Sequence, residues 1–321
     1  MGRHLKGTDF PPILDFFLMN GWLSKEQLDA FESALTTAHR LFTAGDAWVE
    51  RFGADIQISF KTDAARDSAL RGLREWEAFT GFKSRRVFSR FLPKQNAERV
   101  SPVLSAGDPA DSLTTVVTEA GVRYGIDFAA GYSVGFFMDQ RANRAFLRRI
   151  APRNLLNTFA YTCSFSVVAG LGGGRTLSVD LSKKSLDRGR ENFALNGLAD
   201  AGHRFLADDA LDVLPRLERR GEKFDAIVLD PPTFSRGNAG RRWKVEEDLE
   251  ELVVTALGLA APNASVLVST NCTRINRRSL EGIARFALKT HRRGGDFHRE
   301  PPLPDFPPGE GAETLWLRLR S

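Results

Sequence analysis

Only two cysteines occur among 321 residues, Cys163 and Cys272. That is too few for a disulfide framework, and the expected compartment is a reducing cytoplasm. Long apolar runs are also missing. The longest near the start, Pro11–Met19, is interrupted by Asp15 and is far too short to span a bilayer. Met1-Gly-Arg-His-Leu-Lys is followed by no apolar stretch and no small-residue cleavage site, so no secretory signal is expected. Lys6 stands where a myristoylation motif requires Ser or Thr. The phosphate-gripping fingerprint G-x-G-x-x-G is absent as well. Gly170, Gly172, Gly173 and Gly174 follow a helical stretch and read as its C-terminal stop.

The hydrophobic share, 42%, is ordinary for a globular chain, and the length suits one large domain with a smaller one. A net charge of +5 is modestly basic. The basic residues cluster: Lys83, Arg85, Arg86, Arg90 and Lys94; Arg148, Arg149 and Arg153; Arg236, Arg241, Arg242 and Lys244; Arg274, Arg277 and Arg278; Lys289, His291, Arg292 and Arg293. Two of these clusters directly follow candidate active-site strands, where they would draw a polyanion. Taken singly, each reads equally as a solvated face.

Residues 1–50 read as mostly helical, with Ser24 and Gln27 forming a capping box. A strand is expected at Asp55–Phe60, a helix at Ala64–Phe79 and strands at Arg86–Leu92, Leu113–Thr118 and Val122–Phe128. These make a small α+β domain, 1–130. From residue 131 the pattern becomes strand–helix alternation. Strands are expected at Asn154–Phe159, Thr176–Val179, Arg204–Ala207, Ala226–Leu229, Ser265–Ser269, near Phe297 and at Thr314–Leu319, with helices at Lys183–Asn196 and Glu247–Ala261. That predicts an α/β domain, 131–321, with a Rossmann-like, mostly parallel seven-stranded sheet and a late antiparallel element.

Three carboxylates end three consecutive strands: Asp180, Asp208 and Asp230. In open α/β sheets ligands bind at the carboxyl ends of strands. Asp180 is placed to accept both hydroxyls of a ribose. Asp208, or Asp209 beside it, would face an adenine edge. Phe159 and Thr162 flank the small-residue loop after the first of these strands. A ribose without a pyrophosphate fits S-adenosylmethionine and not NAD. Taken alone, Asp180 also reads as a cap of the next helix. Asp230 is followed by Pro231, Pro232 and, one residue on, Phe234. The prolines fix φ and remove donors, giving a stiff turn that suits a flat base with a polar edge.

Asn154–Thr162, Ser178–Ser182, Glu191–Leu198 and Asp230–Phe234, with Gly135–Arg144 before the first sheet strand, resemble the class I S-adenosylmethionine-dependent methyltransferases. The similarity is to the group of bacterial large-subunit rRNA enzymes acting on cytosine C5 or guanine N7. It spans residues 85–321. The resemblance implies that Asp139, Gln140 and Arg141 help enclose the cofactor, with Arg141 meeting its carboxylate. It also implies an RNA partner, ribosomal RNA first, without a membrane or a metal; a homodimer stays open. Cys163 departs from the family's glycine, and its side chain is expected to crowd the methionine moiety. The first 85 residues show no recognisable RNA-binding module of the kind some members of the family carry.

In the cytosine-C5 members a nucleophilic cysteine lies near Cys272. Carbon 5 is a poor nucleophile until a thiolate adds at carbon 6. Arg274 would lower that thiol's pKa, and Asp230 would hold the base and handle a proton. A buried structural role for Cys272 stands beside this one. Cytosine C5 is the favoured target. The alternatives are guanine N7 or another base position without a covalent step, a small-molecule or protein methyltransferase, and a non-catalytic RNA-binding protein.

Overall fold

The computed structural model describes residues 21–93, 100–198, 202–237 and 242–320. Lys94, Arg241 and the apolar run Pro11–Met19 lie outside them. The chain divides into two units: residues up to Gly121 with Ile126–Val134, and Val122–Gly125 with Gly135–Ser321. The division thus falls a few residues beyond position 130.

In the first unit Ser24 caps helix α1 (Lys25–Ser33), and its backbone N–H donates to the Gln27 side chain at 2.9 Å, completing the capping box. The expectation of a mostly helical start fails after that. β1 (Ala38–Ala44) and β2 (Ala47–Phe52) form a hairpin through Gly45 and Asp46. Gly45 has φ +56°, the left-handed conformation that tight hairpin turns require. The strands escaped notice because both faces are covered and no polar–apolar alternation marks them. β3 (Asp55–Phe60), β4 (Arg86–Phe91) and β5 (Val103–Ala106) complete a five-stranded sheet in the order β1-β2-β3-β4-β5. Helix α2 (Asp63–Thr80) lays Ala69, Leu73 and Trp76 on one face, against Val49, Ile56 and Ile58. β6 (Thr114–Glu119) and β7 (Val122–Asp127) follow, close to their expected positions.

Three members of the first basic cluster, Arg85, Arg86 and Arg90, are committed to ion pairs within the fold. Arg86 and Asp55 are fully buried and paired at 2.7 Å, and Arg85 forks onto the same carboxylate. Burial alone would push the Asp55 carboxyl up, but hydrogen bonds from Arg86 and Arg85 outweigh it and hold it below its ordinary range. Arg90 donates to Ser59 at 2.8 Å and pairs with Glu50. These arginines hold the sheet's second face.

The second unit is a seven-stranded sheet, β10-β9-β8-β11-β14-β16-β15. Its strands are β8 (Asn154–Thr158), β9 (Arg175–Asp180), β10 (His203–Ala207), β11 (Phe224–Leu229), β14 (Ala260–Thr270), β15 (Gly295–His298) and β16 (Glu313–Leu319). Only the contacts of β16 are antiparallel. Helices α3 (Arg141–Ile150), α4 (Ser164–Leu171), α5 (Lys183–Leu195), α6 (Ala210–Arg219), α7 (Val245–Gly258) and α8 (Arg277–Thr290) connect and cover it. A small hairpin, β12 (Phe234–Arg236) and β13 (Arg242–Lys244), stands after β11. One core joins α6, α7 and α8 to the sheet through Leu214, Leu252 and Ala284, and another packs Phe146, Leu147 and Phe165 against Leu155, Val228 and Trp316. The chain builds β8, β9 and β10 in one direction and then returns to place β11 on the other side of β8. That reversal opens a crevice at the carboxyl ends. Gly170 lies within α4, and the helix stops at the glycines that follow it.

Candidate active site

Register decides which side chains meet in the crevice. Leu229 pairs with Thr158, and Thr158 with Val179. The next row is therefore Asp230, Phe159 and Asp180, side by side at the carboxyl edge. They line a cavity of about 310 Å³ with Phe137, Asp139, Gln140, Tyr161, Leu181, Asp208, Pro231, Pro232, Ser235 and Asn271. That volume is at the lower end of small-molecule sites. A smaller recess sharing Phe137, Gln140, Phe159, Tyr161 and Asp230 reaches down to Thr162 and Ser164.

The Asp180 carboxylate is held by two backbone donors, Tyr161 N–H and Ser182 N–H, each at 2.8 Å. Burial pushes its pKa up, and those two hydrogen bonds oppose the rise. Each oxygen keeps lone-pair capacity for a hydroxyl on the cavity side. The donor set fits the ribose of an adenosyl group. Asp208 also lines the cavity and pairs with Arg216. Asp209 does not line it: its side chain caps α6 by accepting from Leu211 N–H at 3.0 Å. Of these two neighbours, only Asp208 is available to an adenine edge.

The loop after β8 is bent sharply. Phe159, Tyr161 and Cys163 all have positive φ, between +48° and +62°. Such conformations cost L-residues free energy and cluster at ligand sites. At Cys163 this explains why glycine suits the position. The expected crowding of the cofactor does not occur. Cys163 is fully buried and its Sγ faces α5, 2.5 Å from where a Cβ on Gly189 would lie. Burial pushes its thiol pKa up to about 12. Thr162 is buried too, its hydroxyl donating to Gly135 O at 2.7 Å.

Asp230 is the electrostatically unusual group. Burial pushes its pKa up to about 6 and Asp139 adds to the rise, while the Ser269 hydroxyl and the Arg144 charge oppose it. Gln140 Nε2 donates to Ser269 Oγ at 2.8 Å and reaches Asp230 Oδ2 at 3.4 Å. Behind it, the Arg144 guanidinium lies over the Phe136 ring at 4.3 Å and donates to Phe137 O.

Besides Asp209, four expected site residues are brought neither to the cavity nor to the recess. Arg141 forks onto Asp305 with two 2.9 Å bonds, so its charge is committed within the fold rather than offered to a cofactor carboxylate. Phe234 stands on β12, 54% exposed, while Ser235 takes the place on the wall. Cys272 is 6% exposed and packs in the core under α7 and α8. Its thiol donates to Glu246 at 3.3 Å, and Arg274 pairs with that same carboxylate at 3.0 Å. Arg274 therefore serves Glu246 and not the sulfur. Asn271, Tyr161 and Leu181 line the cavity and had not been singled out. Leu181 and Asn271 each directly follow a strand end, and that position was the available signal.

A family model describing S-adenosylmethionine-dependent methyltransferases matches residues 64–318. The chain belongs to that family. Within it, the methyltransferase is 33% identical over 189 residues to the ribosomal RNA large subunit methyltransferase I of Aeromonas salmonicida, covering 58% of this chain and 47% of the relative. It is 37% identical over 164 residues to the large subunit methyltransferase K/L of a Psychrobacter species, covering 50% of this chain and 20% of that one. It therefore spans about half, or less, of these relatives' length. The fold is shared with a candidate methyltransferase solved with S-adenosylhomocysteine (23% identity, TM-score 0.80, 98% of this chain and 83% of that one). It is also shared with an S-adenosylmethionine-dependent methyltransferase from Agrobacterium tumefaciens (23% identity, TM-score 0.68, 88% and 90%). Among the described residues, no helix is long and apolar enough to cross a membrane and no acidic, histidine and cysteine cluster fits a metal.

Two measurements follow from this geometry. Gly189→Ala forces a Cβ onto the Cys163 sulfur and should cost about 1–3 kcal/mol in urea unfolding. In a Cys163→Gly background the same change should cost clearly less. For Asp230, the folded pKa of about 6 lies above the ordinary 3.8. Between these values the native state keeps a proton that the unfolded chain releases, so stability falls as pH rises through the window. Asp230→Asn should therefore stabilise the protein by about 3 kcal/mol at pH 7.5, and the gain should vanish as the pH falls below about 3.5.

Proposed function

We propose that this methyltransferase modifies an RNA base, ribosomal RNA first, by direct transfer to a nitrogen, with Asp230 holding the base edge. The observation that carries the reading is the pairing of a recessed carboxylate of raised pKa with a cavity wall free of any thiol. Bound S-adenosylmethionine supplies a methyl group on a sulfonium. Asp180 would anchor its ribose hydroxyls, and Leu181 and Asp208 would flank its adenine. Pro231 and Pro232 fix the Asp230 turn, and Trp243 locks it by donating to Pro232 O at 2.8 Å. A base nitrogen would accept that methyl group with its own lone pair, the sulfur keeping the electrons of the S–C bond. Where that nitrogen carries a hydrogen, ionised Asp230 takes the proton. The base must leave its stack to reach so recessed a carboxylate. The names of the similar relatives support RNA as the substrate, as do the exposed Arg242, Arg274, Arg277 and Arg278 near the cavity's side of the sheet.

A second reading, cytosine C5 with Cys272 as nucleophile, is favoured by one observation: Asn271, its neighbour, lines the cavity. It needs the loop after β14 to turn the sulfur away from Glu246, and a thiolate there would face that carboxylate.

The test uses large-subunit rRNA transcripts, labelled S-adenosylmethionine and nucleoside chromatography. Cys272→Ala should keep transfer within about threefold, while Asp230→Ala should lose on the order of a hundredfold. Loss of transfer in Cys272→Ala, with S-adenosylhomocysteine binding intact and the label on carbon 5, would establish the covalent route instead. Transfer that needs no RNA would contradict both readings.

A further inference from the structure

Behind Asp230 a string of buried polar side chains runs past Gln140 and Ser269 to Asn143 and Trp316, which no role above absorbs. Trp316 Nε1 on β16 donates to Asn143 Oδ1 on α3 at 2.8 Å. Asn143 Nδ2 donates to Gln140 Oε1 at 2.8 Å. Gln140 Nε2 then donates to Ser269 Oγ on β14 and points at Asp230 Oδ2. All of these but Asp230 are at most 3% exposed, so water has little access to replace a lost partner.

An indole nitrogen can only donate, so Asn143 must present its oxygen to Trp316. Its amide nitrogen is then committed to Gln140, and Gln140 must present its oxygen to Asn143. The NH₂ of Gln140 is left facing Ser269 and Asp230. The Ser269 hydroxyl, already accepting from Gln140, directs its own hydrogen to Asp230. One donor-only group, with Asn143 and Gln140 between it and the carboxylate, thus sets the direction of the hydrogen bonds that Gln140 and Ser269 present to Asp230. If the Gln140 amide turned over, its oxygen would oppose Asp230 and draw the Ser269 hydrogen away. The carboxylate would lose two donors at once.

We propose that Trp316 and Asn143 are positioning residues for methyl transfer: they fix the amide orientation of Gln140, and through it and Ser269 the donors presented to Asp230. The consequence for the reaction rests on Asp230 holding the base edge. The positioning itself is tested without RNA or cofactor. The charged groups facing Asp230 are Asp139, on the turn before α3, and Arg144, on α3, and neither is altered below.

The experiment is an NMR titration of the Asp230 carboxyl in ¹³C-aspartate-labelled protein, assigned by its disappearance in Asp230→Asn. Trp316→Phe removes the donor without changing charge, and Asn143→Leu removes the next link. Each should raise the Asp230 midpoint by about one unit. The double variant should match Asn143→Leu alone, because both act through one string. Phe146→Leu loosens packing on the same indole, whose ring lies 4.6 Å away, and should leave the midpoint where it is. An unmoved midpoint in a folded Trp316→Phe protein would overturn the proposal, as would additive shifts or an equal shift in Phe146→Leu. Should Asn143→Leu not fold, Trp316→Phe against Phe146→Leu decides the matter alone. A shift with no RNA methylation would leave this proposal standing and count against the substrate reading.

Discussion

The parallel pairing of β9, β8 and β11 in one register is the constraint on which the rest depends. Because the chain reverses direction at β8, Phe159, Asp180 and Asp230 stand in a single row at the carboxyl edge. A slip of one residue in either strand would turn that strand's terminal carboxylate to the opposite face of the sheet. The cores on both faces oppose such a slip, since Leu156, Ile227 and Val228 would exchange surroundings with it. Hydrophobic burial therefore aims two charged groups that would never sit together by their own preference.

The two carboxylates are then treated differently by their surroundings. Asp180 is gripped by two backbone N–H groups, that of Tyr161 in the strained loop after β8 and that of Ser182 at the cap of α5, and it can accept hydroxyls without moving. Among the described residues, Asp230 has no backbone donor of that kind. It sits against Asp139 and depends on side chains, Ser269 and Gln140, for its donors. A group held in that way responds to small changes around it, which suits the role proposed for it of accepting and releasing hydrogen bonds from a base. The neighbouring arginines show the opposite economy: Arg141 and Arg144 are spent on fixing loops and helix α3.

Much of this was legible in the sequence. Strand–helix alternation with a carboxylate at each of three strand ends gave the doubly wound sheet and the row of aspartates, because burial of a parallel sheet leaves continuous apolar runs that stop abruptly at polar residues. The hairpin of β1 and β2 was not legible, since buried arginines and glutamate on its second face hide the alternation. The destinations of Arg141, Phe234 and Cys272 were missed for a different reason. Each is decided by a partner distant in sequence: Asp305 for Arg141, the β12–β13 hairpin for Phe234, and Glu246 for Cys272. Proximity to a motif says that a side chain is near a site, but long-range partners decide which way it points.

The central claim is that the carboxyl-edge row binds an adenosyl ligand through Asp180. Calorimetric titration with S-adenosylhomocysteine, in the wild-type protein and in Asp180→Ala, tests it most directly. The account predicts micromolar binding that falls by at least about a hundredfold in the variant, as expected for loss of two hydrogen bonds to a charged acceptor. Equal affinity in a folded Asp180→Ala protein would contradict it and move the ligand elsewhere on the sheet.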